Sequence, residues 1–400
     1  MRVRPLRAVG ILAAVPVTWA TAIGGAYTAR AAVAAHCGIP MFPDVPTPAP
    51  TFALGAGVAL DELVLLPMRR LASIVPRRDR DRSTAELEAA VDCYAANGWI
   101  DDPAGYFSRP PALEDVDRRV TQCRRGAIET MRFSSDFEPH PGEPGSQRWC
   151  SFGANRDVFA RVLRHDREPR PWLVAVHGQG MGRVSDVDFL RVRRLHETLG
   201  VNVVLPVLPL HGPRREGMRL DQQFVSNVYL VNNVLGLAQA VWDLRRLLTW
   251  LREHERAPSV GVYGFSLGSY VASLLSTLDG DLACVIAVVP AGDLAEAMRI
   301  GRTPFGSKPP TDGVLHDERS ARVHRVVSPL AAPCRVPKER RFIVAGLGDR
   351  FARPPGAVLL WRHWEQPSIR WQQSGHITMA RSDGYEAHLA AVLRASGLTV

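Results

Sequence analysis

One ten-residue stretch, GVYGFSLGSY at residues 261–270, constrains the fold of this chain more than any other. Val260–Phe265 is apolar throughout and predicts a buried strand, and the residues after Ser266 predict a helix. Where a strand turns directly into a helix, the two backbones come so close that the residues two before and two after the tip must be small. Gly264 and Gly268 meet that requirement. The sequence therefore predicts a sharp, strained turn with a serine at its tip.

Strand-like and helix-like segments alternate around that turn. From about residue 127, short apolar runs such as PWLVAVHG and RFIVAG are separated by helical patterns such as LGLAQAVWDLRRLLTWL. Apolar strands between helices indicate a mainly parallel sheet that is covered on both faces. We predict a single helix for VSDVDFLRVRRLHETLG, with a capping box of Ser185 and Asp188 at its start. Ligands bind beyond the carboxyl ends of such strands, so reactive side chains are expected directly after them.

The first 126 residues have a different character. Arginines near the start precede the weakly charged stretch AVGILAAVPVTWATAIGGAYTA, which fits a signal peptide or a single membrane anchor over residues 1–35. The alternative is a helix packed on the body of a cytoplasmic protein. Residues 36–126 predict a Pro-rich linker, PMFPDVPTPAP at residues 40–50, followed by a helical appendage. Nothing in this N-terminal segment suggests chemistry.

Charge and cysteine content exclude several classes of function. The net charge is +9, from 49 basic and 40 acidic residues, but the arginines are scattered and form no basic stripe interleaved with aromatic residues. We therefore expect no nucleic-acid partner. None of the six cysteines forms a C-x-x-C pair, which argues against a zinc ribbon or a thioredoxin motif. Cys284, in CVIAVV, is predicted to be a buried free thiol.

Ser266 is a candidate nucleophile because it opens a helix, whose free N–H groups and positive dipole end favour an oxyanion. Its simpler alternative is a helix cap. A serine needs a base to react. His376, in QQSGHITM, follows the last short strand and lies C-terminal to Ser266, as the order Ser, acid, His requires. His363 and His388 fall on helices and are predicted to be structural or exposed.

Two aspartates follow strands and compete as the partner of that histidine. Asp293, in PAGDLAEAM, opens a helix and has Glu296 three residues later, so helix capping explains it. Asp349, in VAGLGDRF, ends a strand with no helix immediately behind it. Asp349 is therefore the preferred acid, and Asp293 remains the alternative.

A tetrahedral intermediate also needs hydrogen-bond donors for its oxyanion. The N–H of Leu267, just after the candidate nucleophile, is one. The second is expected in the loop HGQGMG that follows the strand LVAV, from Gln179 or Gly180. His177 and Gly178 are expected to support that loop rather than to transfer protons.

A weaker candidate is the loop PLHGPRREG at residues 209–217, which also follows a strand. Its His211 and Arg214 are predicted near the cleft, where an arginine could bind a carboxylate or phosphate of the substrate. A rigid Gly-Pro turn with solvated arginines explains the same residues.

Together, the HGQG loop, the GFSLG turn, the GLGD acid turn and the SGH turn, in that order, resemble those of α/β-hydrolase-fold serine hydrolases. The resemblance covers about residues 127–400. It implies a mostly parallel sheet of eight strands with helices on both faces, and hydrolysis through an acyl-enzyme without a cofactor or metal. Residues 294–337 lie where many members insert a lid.

The resemblance implies an esterase or lipase type of activity on a small-molecule or lipid ester. Two alternatives stay open: an acyltransferase with the same three residues, and a non-catalytic binding protein on the same fold. If residues 1–35 act as an anchor, we expect the N-terminus to associate the protein with a membrane.

Overall fold

The computed structural model describes residues 5–73, 77–123, 126–165, 169–217, 229–295 and 318–399. Across these ranges nine strands form one sheet in the order β1-β2-β3-β5-β4-β6-β7-β8-β9. Strands β1, β2, β3 and β5 pair antiparallel in that order, and all pairs from β5–β4 onward are parallel. The strands are β1 Asp117–Cys123, β2 Gly126–Ser134, β3 Asp157–Leu163, β4 Trp172–Val176, β5 Asn202–Pro206, β6 Val260–Phe265, β7 Val285–Val288, β8 Arg341–Gly346 and β9 Ser368–Gln372.

The helices cover both faces of this sheet. Alternate residues of β4 point to opposite sides, because side chains in a strand alternate. Val174 and Val176 pack in one core with the helix that follows β5, whereas Leu173 and Ala175 pack in a second core with the helix before β5 and the C-terminal helix. The described helices are α1 Pro5–Cys37, α2 Phe52–Ser73, α3 Arg77–Ala96, α4 Ser146–Cys150, α5 Asp186–Phe189, α6 Val192–Leu199, α7 Leu230–Glu253, α8 Leu267–Leu275, α9 Glu318–Arg325, α10 Pro354–His363 and α11 Tyr385–Ala395.

The predicted α/β fold class is confirmed, with one more strand than the eight expected. The additional strand is β1, which pairs antiparallel with β2 at the edge of the sheet and begins before residue 127. Its sequence, DRRVTQC, carries mostly polar side chains, and most of them are exposed. An edge strand without a buried face has no apolar alternation, so the sequence pattern gave no sign of it.

The single helix predicted over residues 184–200 is wrong. The chain forms α5 and α6 instead, because Arg191 takes a left-handed conformation with φ 62° between them. Ser185 makes no side-chain cap at the start of α5. The Asp186 carboxylate instead accepts the N–H groups of Gly182 and Arg183, at 2.6 and 2.7 Å.

Helices α1 and α2 form a hairpin whose backbones touch. A Cβ atom added to Gly24 would collide with the carbonyl oxygen of Gly55, and one added to Gly55 would lie 3.1 Å from Thr28 Cγ2. Glycine at the crossing point lets the two helices approach this closely. We call α1, the connecting residues 38–51 and α2 the N-terminal hairpin.

The N-terminal hairpin packs on the carboxyl end of the sheet. Leu54 and Val58 are fully buried and lie against the loop after β8, and the Tyr27 hydroxyl donates to the Leu347 carbonyl. Met41 and Val45 of the Pro-rich linker are buried in the same apolar cluster. The sequence analysis offered a helix packed on the body of the protein as one alternative for residues 1–35, and α1 has this arrangement. Export or membrane anchoring stays a prediction. Among the described residues, no helix combines the length and hydropathy that crossing a membrane requires.

Two further expectations concern particular segments. Residues 296–317, most of the predicted lid insert, lie outside the described residues. Helix α9 follows them. Its Arg325 donates from Nε to the Ile100 carbonyl at 3.0 Å. Cys284 is fully buried and free, as predicted.

Gly24→Ala and Gly25→Ala form a matched pair that tests the packing of the hairpin. A Cβ at Gly25 would meet nothing within 4 Å, so this change should raise the free energy of unfolding by about 0.5–1 kcal/mol through helix propensity. The Gly24 change should lower it by about 1–3 kcal/mol, because the helices must move apart. Chemical denaturation measures both. Equal effects at the two positions would mean that the hairpin is not packed in this way.

Candidate active site

Ser266 stands at the tip of the turn between β6 and α8. Its backbone has φ 57° and ψ −117°, a conformation that costs a non-glycine residue roughly 1–3 kcal/mol. Hydrogen bonds hold the strain in place: the Ser266 N–H donates to the Val288 carbonyl at 2.9 Å, and its own carbonyl accepts the N–H groups of Ser269 and Tyr270. The turn is therefore tied to the neighbouring strand on one side and to the helix on the other.

The two glycines beside this turn are required by contact. A Cβ at Gly264 would collide with the carbonyl oxygen of Gly268. A Cβ at Gly268 would collide with the carbonyl oxygen of Val176 in the adjacent strand β4. Helix α8 thus starts in backbone contact with the sheet, and this close contact is why both positions need a residue without a side chain.

The structure brings Ser266, His376 and Asp349 into one hydrogen-bonded chain. His376 follows β9 and lies with Nε2 2.8 Å from Ser266 Oγ. Its Nδ1 lies 2.7 Å from Oδ2 of Asp349, which follows the neighbouring strand β8. The other oxygen, Oδ1, accepts the N–H groups of Phe351 and Ala352, both at 2.8 Å. Because a carboxylate only accepts, Nδ1 carries the hydrogen and Nε2 faces the serine as an acceptor.

The other sequence candidates lie elsewhere. Asp293 follows β7. Burial raises the pKa of Tyr270 and lowers that of His324, and the charge of Asp293 contributes an upward shift to both. Glu296, on which its capping explanation depends, lies outside the described residues. His363 Nε2 lies 2.9 Å from the Ala332 carbonyl, and His388 is on α11, as their helical positions predicted.

The surroundings of His376 favour its charged form. Burial alone would lower the pKa of its imidazole, but the carboxylates of Asp349 and Asp61 outweigh that effect and raise the pKa. Phe351 stacks on the ring with centroids 4.8 Å apart, and Phe265 meets it edge-on at 5.7 Å. The ring is thus held by a carboxylate at one nitrogen and by aromatic neighbours.

The two parts of the expected oxyanion hole lie next to the serine. Leu267 is the first residue of α8, so its N–H has no acceptor within the helix. A Cβ at Gly178 would lie 3.2 Å from Ser266 Cβ, which puts the HGQG loop against the candidate nucleophile. The Gly178 N–H donates to Met181 Sδ at 3.2 Å, so Gln179 and Gly180 remain the candidates for the second donor.

His177 uses both ring nitrogens within the protein. Its Nε2 accepts the N–H of Leu208 at 3.0 Å, so Nδ1 carries the hydrogen and donates to the Gly178 carbonyl at 2.8 Å. Burial lowers the pKa of this histidine, which keeps it neutral. These contacts correspond to the supporting role expected from the sequence.

His211 lies near the candidate site, as the sequence predicted, whereas Arg214 does not act as a substrate contact. His211 is buried, and its Nε2 lies 3.1 Å from the side-chain amide of Gln179, so it contacts the oxyanion loop. Arg214 is fully buried and pairs with Asp243 at 2.9 Å while donating to the carbonyls of Val207 and Asn155. The predicted substrate contact is wrong for Arg214, because its guanidinium is used inside the protein.

The sequence reading missed Asp61. This residue of α2 is fully buried, and its carboxylate accepts the N–H groups of His376 at 2.7 Å, Ile377 at 3.0 Å and Arg350 at 3.1 Å. Burial and the nearby charge of Asp349 raise its pKa to about 7. A signal was present: Asp61 and Glu62 are the only charged residues in the apolar stretch FALGAGVALDELVLLP, where a buried carboxylate needs a partner.

Within the part of the chain that the structure describes, no three His, Cys, Asp or Glu side chains are grouped as metal ligands.

Two proteins of Mycobacterium tuberculosis match most of the chain. They are the uncharacterized protein MT2702 of strain CDC 1551 and the uncharacterized protein Rv2627c of strain H37Rv. Each is 42% identical over 358 residues, which cover 88% of this chain and 85% of the relative. The chain belongs to the family of these two proteins. No protein-family model matches it.

Solved structures with a similar backbone include hydrolases. Acetyl xylan esterase 1 from Thermoanaerobacterium is 13% identical with a TM-score of 0.49, and the two cover 80% of this chain and 99% of that one. The Pyrococcus furiosus esterase Pf2001 is 13% identical with a TM-score of 0.42, covering 72% and 98%. XC6422 from Xanthomonas campestris, described as an α/β serine hydrolase without a lid, is 14% identical with a TM-score of 0.35, covering 71% and 95%.

At such TM-scores the likeness has little weight, and the fold is assigned from the chain itself. The serine turn follows the central parallel strand β6, the aspartate follows β8 and the histidine follows β9. This order, with a loop after β4 beside the serine, is that of the α/β hydrolases. The chain has the α/β-hydrolase fold.

Replacing Arg214 tests its structural role. Arg214→Met leaves the buried Asp243 carboxylate without its ion-pair partner and should lower the free energy of unfolding by about 3–5 kcal/mol. The double variant Arg214→Met/Asp243→Leu should recover much of that loss, and Arg215→Met, at the half-buried neighbour, should change stability by less than about 0.5 kcal/mol. Denaturant titration measures all three. A stable Arg214→Met protein would contradict the assignment.

Proposed function

We propose that this protein is a serine hydrolase that cleaves carboxylic esters through an acyl-enzyme. The observation that carries the proposal is the hydrogen-bonded chain from Ser266 Oγ through His376 to Asp349, with the serine on a strained turn at a helix N-terminus. A serine used only as a helix cap needs neither the strained backbone nor an acceptor nitrogen at 2.8 Å.

In the first half of the reaction, Ser266 Oγ attacks the ester carbonyl carbon while His376 Nε2 takes its proton. The carbonyl π electrons move to oxygen, and the resulting oxyanion accepts hydrogen bonds from the Leu267 N–H and from Gln179 or Gly180. The tetrahedral intermediate then collapses. The leaving alcohol takes the proton from His376, and the acyl group stays on the serine.

In the second half, water attacks the acyl-serine while His376 takes a proton from it, and collapse of the intermediate returns that proton to Ser266. Asp349 keeps the imidazole in the reactive tautomer and stabilises the imidazolium that forms in both halves. The substrate is a small-molecule or lipid ester.

The same acyl-enzyme would serve an acyltransferase, in which an alcohol replaces water in the second half. Product analysis with an added alcohol acceptor separates the two reactions. A non-catalytic binding protein of the same fold would form no acyl-enzyme at all.

Ser266→Ala should abolish both labelling by a fluorophosphonate probe and hydrolysis of a short p-nitrophenyl ester. Loss of the nucleophile should lower kcat by a factor on the order of 10⁶. The melting temperature should stay close to that of the wild type, because only the Oγ atom is removed. Folded wild-type protein that neither reacts with the probe nor hydrolyses any ester in a panel of chain lengths would overturn the proposal.

Asp349→Asn and Asp293→Asn form a matched pair for the acid. In the first variant, the amide oxygen can still accept the N–H groups of Phe351 and Ala352, so its NH₂ group turns to His376 and selects the wrong tautomer. We expect kcat to fall by about 10⁴-fold with little loss of stability. The second variant should keep a kcat near that of the wild type. The reverse result would transfer the role of the acid to Asp293.

A further inference from the structure

We propose that Asp61 is a positioning residue for His376, supplied to the site by the N-terminal hairpin. This inference rests on the proposed function, since it assigns a residue to the same site. It also gives the N-terminal segment, which the sequence analysis left without chemistry, a part in the reaction.

The contacts of Asp61 join the two turns that carry the acid and the base. Its Oδ2 accepts the N–H of His376 at 2.7 Å and that of Arg350, next to Asp349, at 3.1 Å. Its Oδ1 accepts the N–H of Ile377 at 3.0 Å. One carboxylate thus fixes the backbone on both sides of the hydrogen bond between Asp349 and His376.

Helix α2 fits against the histidine turn only because both surfaces carry glycine. A Cβ at Gly57 would lie 2.8 Å from the backbone nitrogen of Gly375. A Cβ at Gly375 would lie 2.6 Å from the Gly57 carbonyl oxygen and 2.8 Å from Asp61 Oδ2. This backbone contact brings Asp61 within hydrogen-bonding distance of the turn.

The neighbouring Glu62 has a different partner. Its carboxylate is also fully buried on α2, but it pairs with the Arg350 guanidinium at 2.7 Å. Glu62 therefore offers a matched control: the same charge, the same helix and the same degree of burial.

Asp61 also changes the charge around the imidazole. With Asp349 it forms a pair of carboxylates, and both raise the pKa of His376. Next to this cluster, Tyr27 is influenced electrostatically by Arg350, Arg30, Asp349 and Arg353, and the charge of Arg350 is paired with Glu62. Because Asp61, Asp349 and His376 influence one another, the fall of kcat/KM at low pH belongs to the cluster rather than to one residue.

A purely structural Asp61 and a positioning Asp61 differ in one readout. Loss of a structural residue lowers the melting temperature and the fraction of active protein, but leaves the pH at which kcat/KM falls unchanged. Loss of the Asp61 charge lowers the pKa of His376, so the neutral, active imidazole persists to lower pH. The acid limb then moves to lower pH, and kcat falls because the imidazolium is less stabilised.

The experiment measures kcat/KM against pH for the wild type, Asp61→Asn and Glu62→Gln with a p-nitrophenyl ester. We expect the acid limb of Asp61→Asn to lie about one pH unit lower and its kcat at the plateau to be roughly tenfold lower. Glu62→Gln should be less stable but should keep the acid limb of the wild type. Coincident limbs for Asp61→Asn and the wild type, or an equal shift in Glu62→Gln, would overturn the inference.

A second measurement needs no substrate. The imidazole of His376, followed by NMR as the pH changes, should titrate in the wild type above the ordinary value of about 6.5 and should titrate lower in Asp61→Asn. If Asp61→Asn does not fold, Asp61→Ser takes its place. A wild-type His376 that titrates at or below about 6.5 overturns the inference whether or not the variant folds. If the wild type hydrolyses no ester but the titration shifts as expected, the proposed function fails and the positioning of His376 by Asp61 stands.

Discussion

The contact between the start of α8 and strand β4 is the constraint on which the site depends. Gly268 lies against the Val176 carbonyl so closely that no side chain fits between them. This contact leaves no room for a gradual turn after β6, and the chain reverses within one residue, Ser266. The same contact points the free N–H groups of the helix toward the space above the serine, where an oxyanion would form. The proposed nucleophile and the proposed oxyanion donor therefore share one structural cause.

Close backbone contacts at glycine occur at two further places, both involving the N-terminal hairpin. Gly24 and Gly55 let α1 touch α2, and Gly57 and Gly375 let α2 touch the histidine turn. Each contact positions the next, so that Asp61 reaches the backbone of the histidine turn. A segment that looked like an appendage is therefore packed into the site, and deleting it would remove the acceptor of three backbone N–H groups.

Local sequence predicts what local sterics determine. The glycines around Ser266 act on residues within a few positions, so the turn could be recognised from ten letters. Asp349 could be preferred over Asp293 because helix capping is also local. The two turns after β8 and β9 could be placed together because parallel strands end at the same edge of a sheet.

What escaped the sequence depends on contacts between distant residues or on the absence of a pattern. Asp61 is separated from His376 by 315 positions, and only the hairpin packing brings them together. Arg214 reads as a solvated arginine until Asp243 is found beside it in the interior. Strand β1 has no buried face, and the break between α5 and α6 depends on one left-handed arginine, Arg191. None of these features produces a periodic pattern of apolar residues in the sequence.

The carboxylates of Asp61 and Asp349 determine which protonation state of the His376 imidazole the site favours. Burial and the nearby charge of Asp349 both disfavour the ionised form of Asp61 while His376 is neutral, which is why the pKa of Asp61 is raised to about 7. When the imidazolium forms, both carboxylates gain a positive neighbour at once. In the proposed reaction, this arrangement would stabilise the transition state more than the resting site, and only such a difference accelerates a reaction. A single carboxylate at Nδ1 would leave the backbone of the histidine turn without the acceptor that Asp61 supplies, and would leave part of this difference unused.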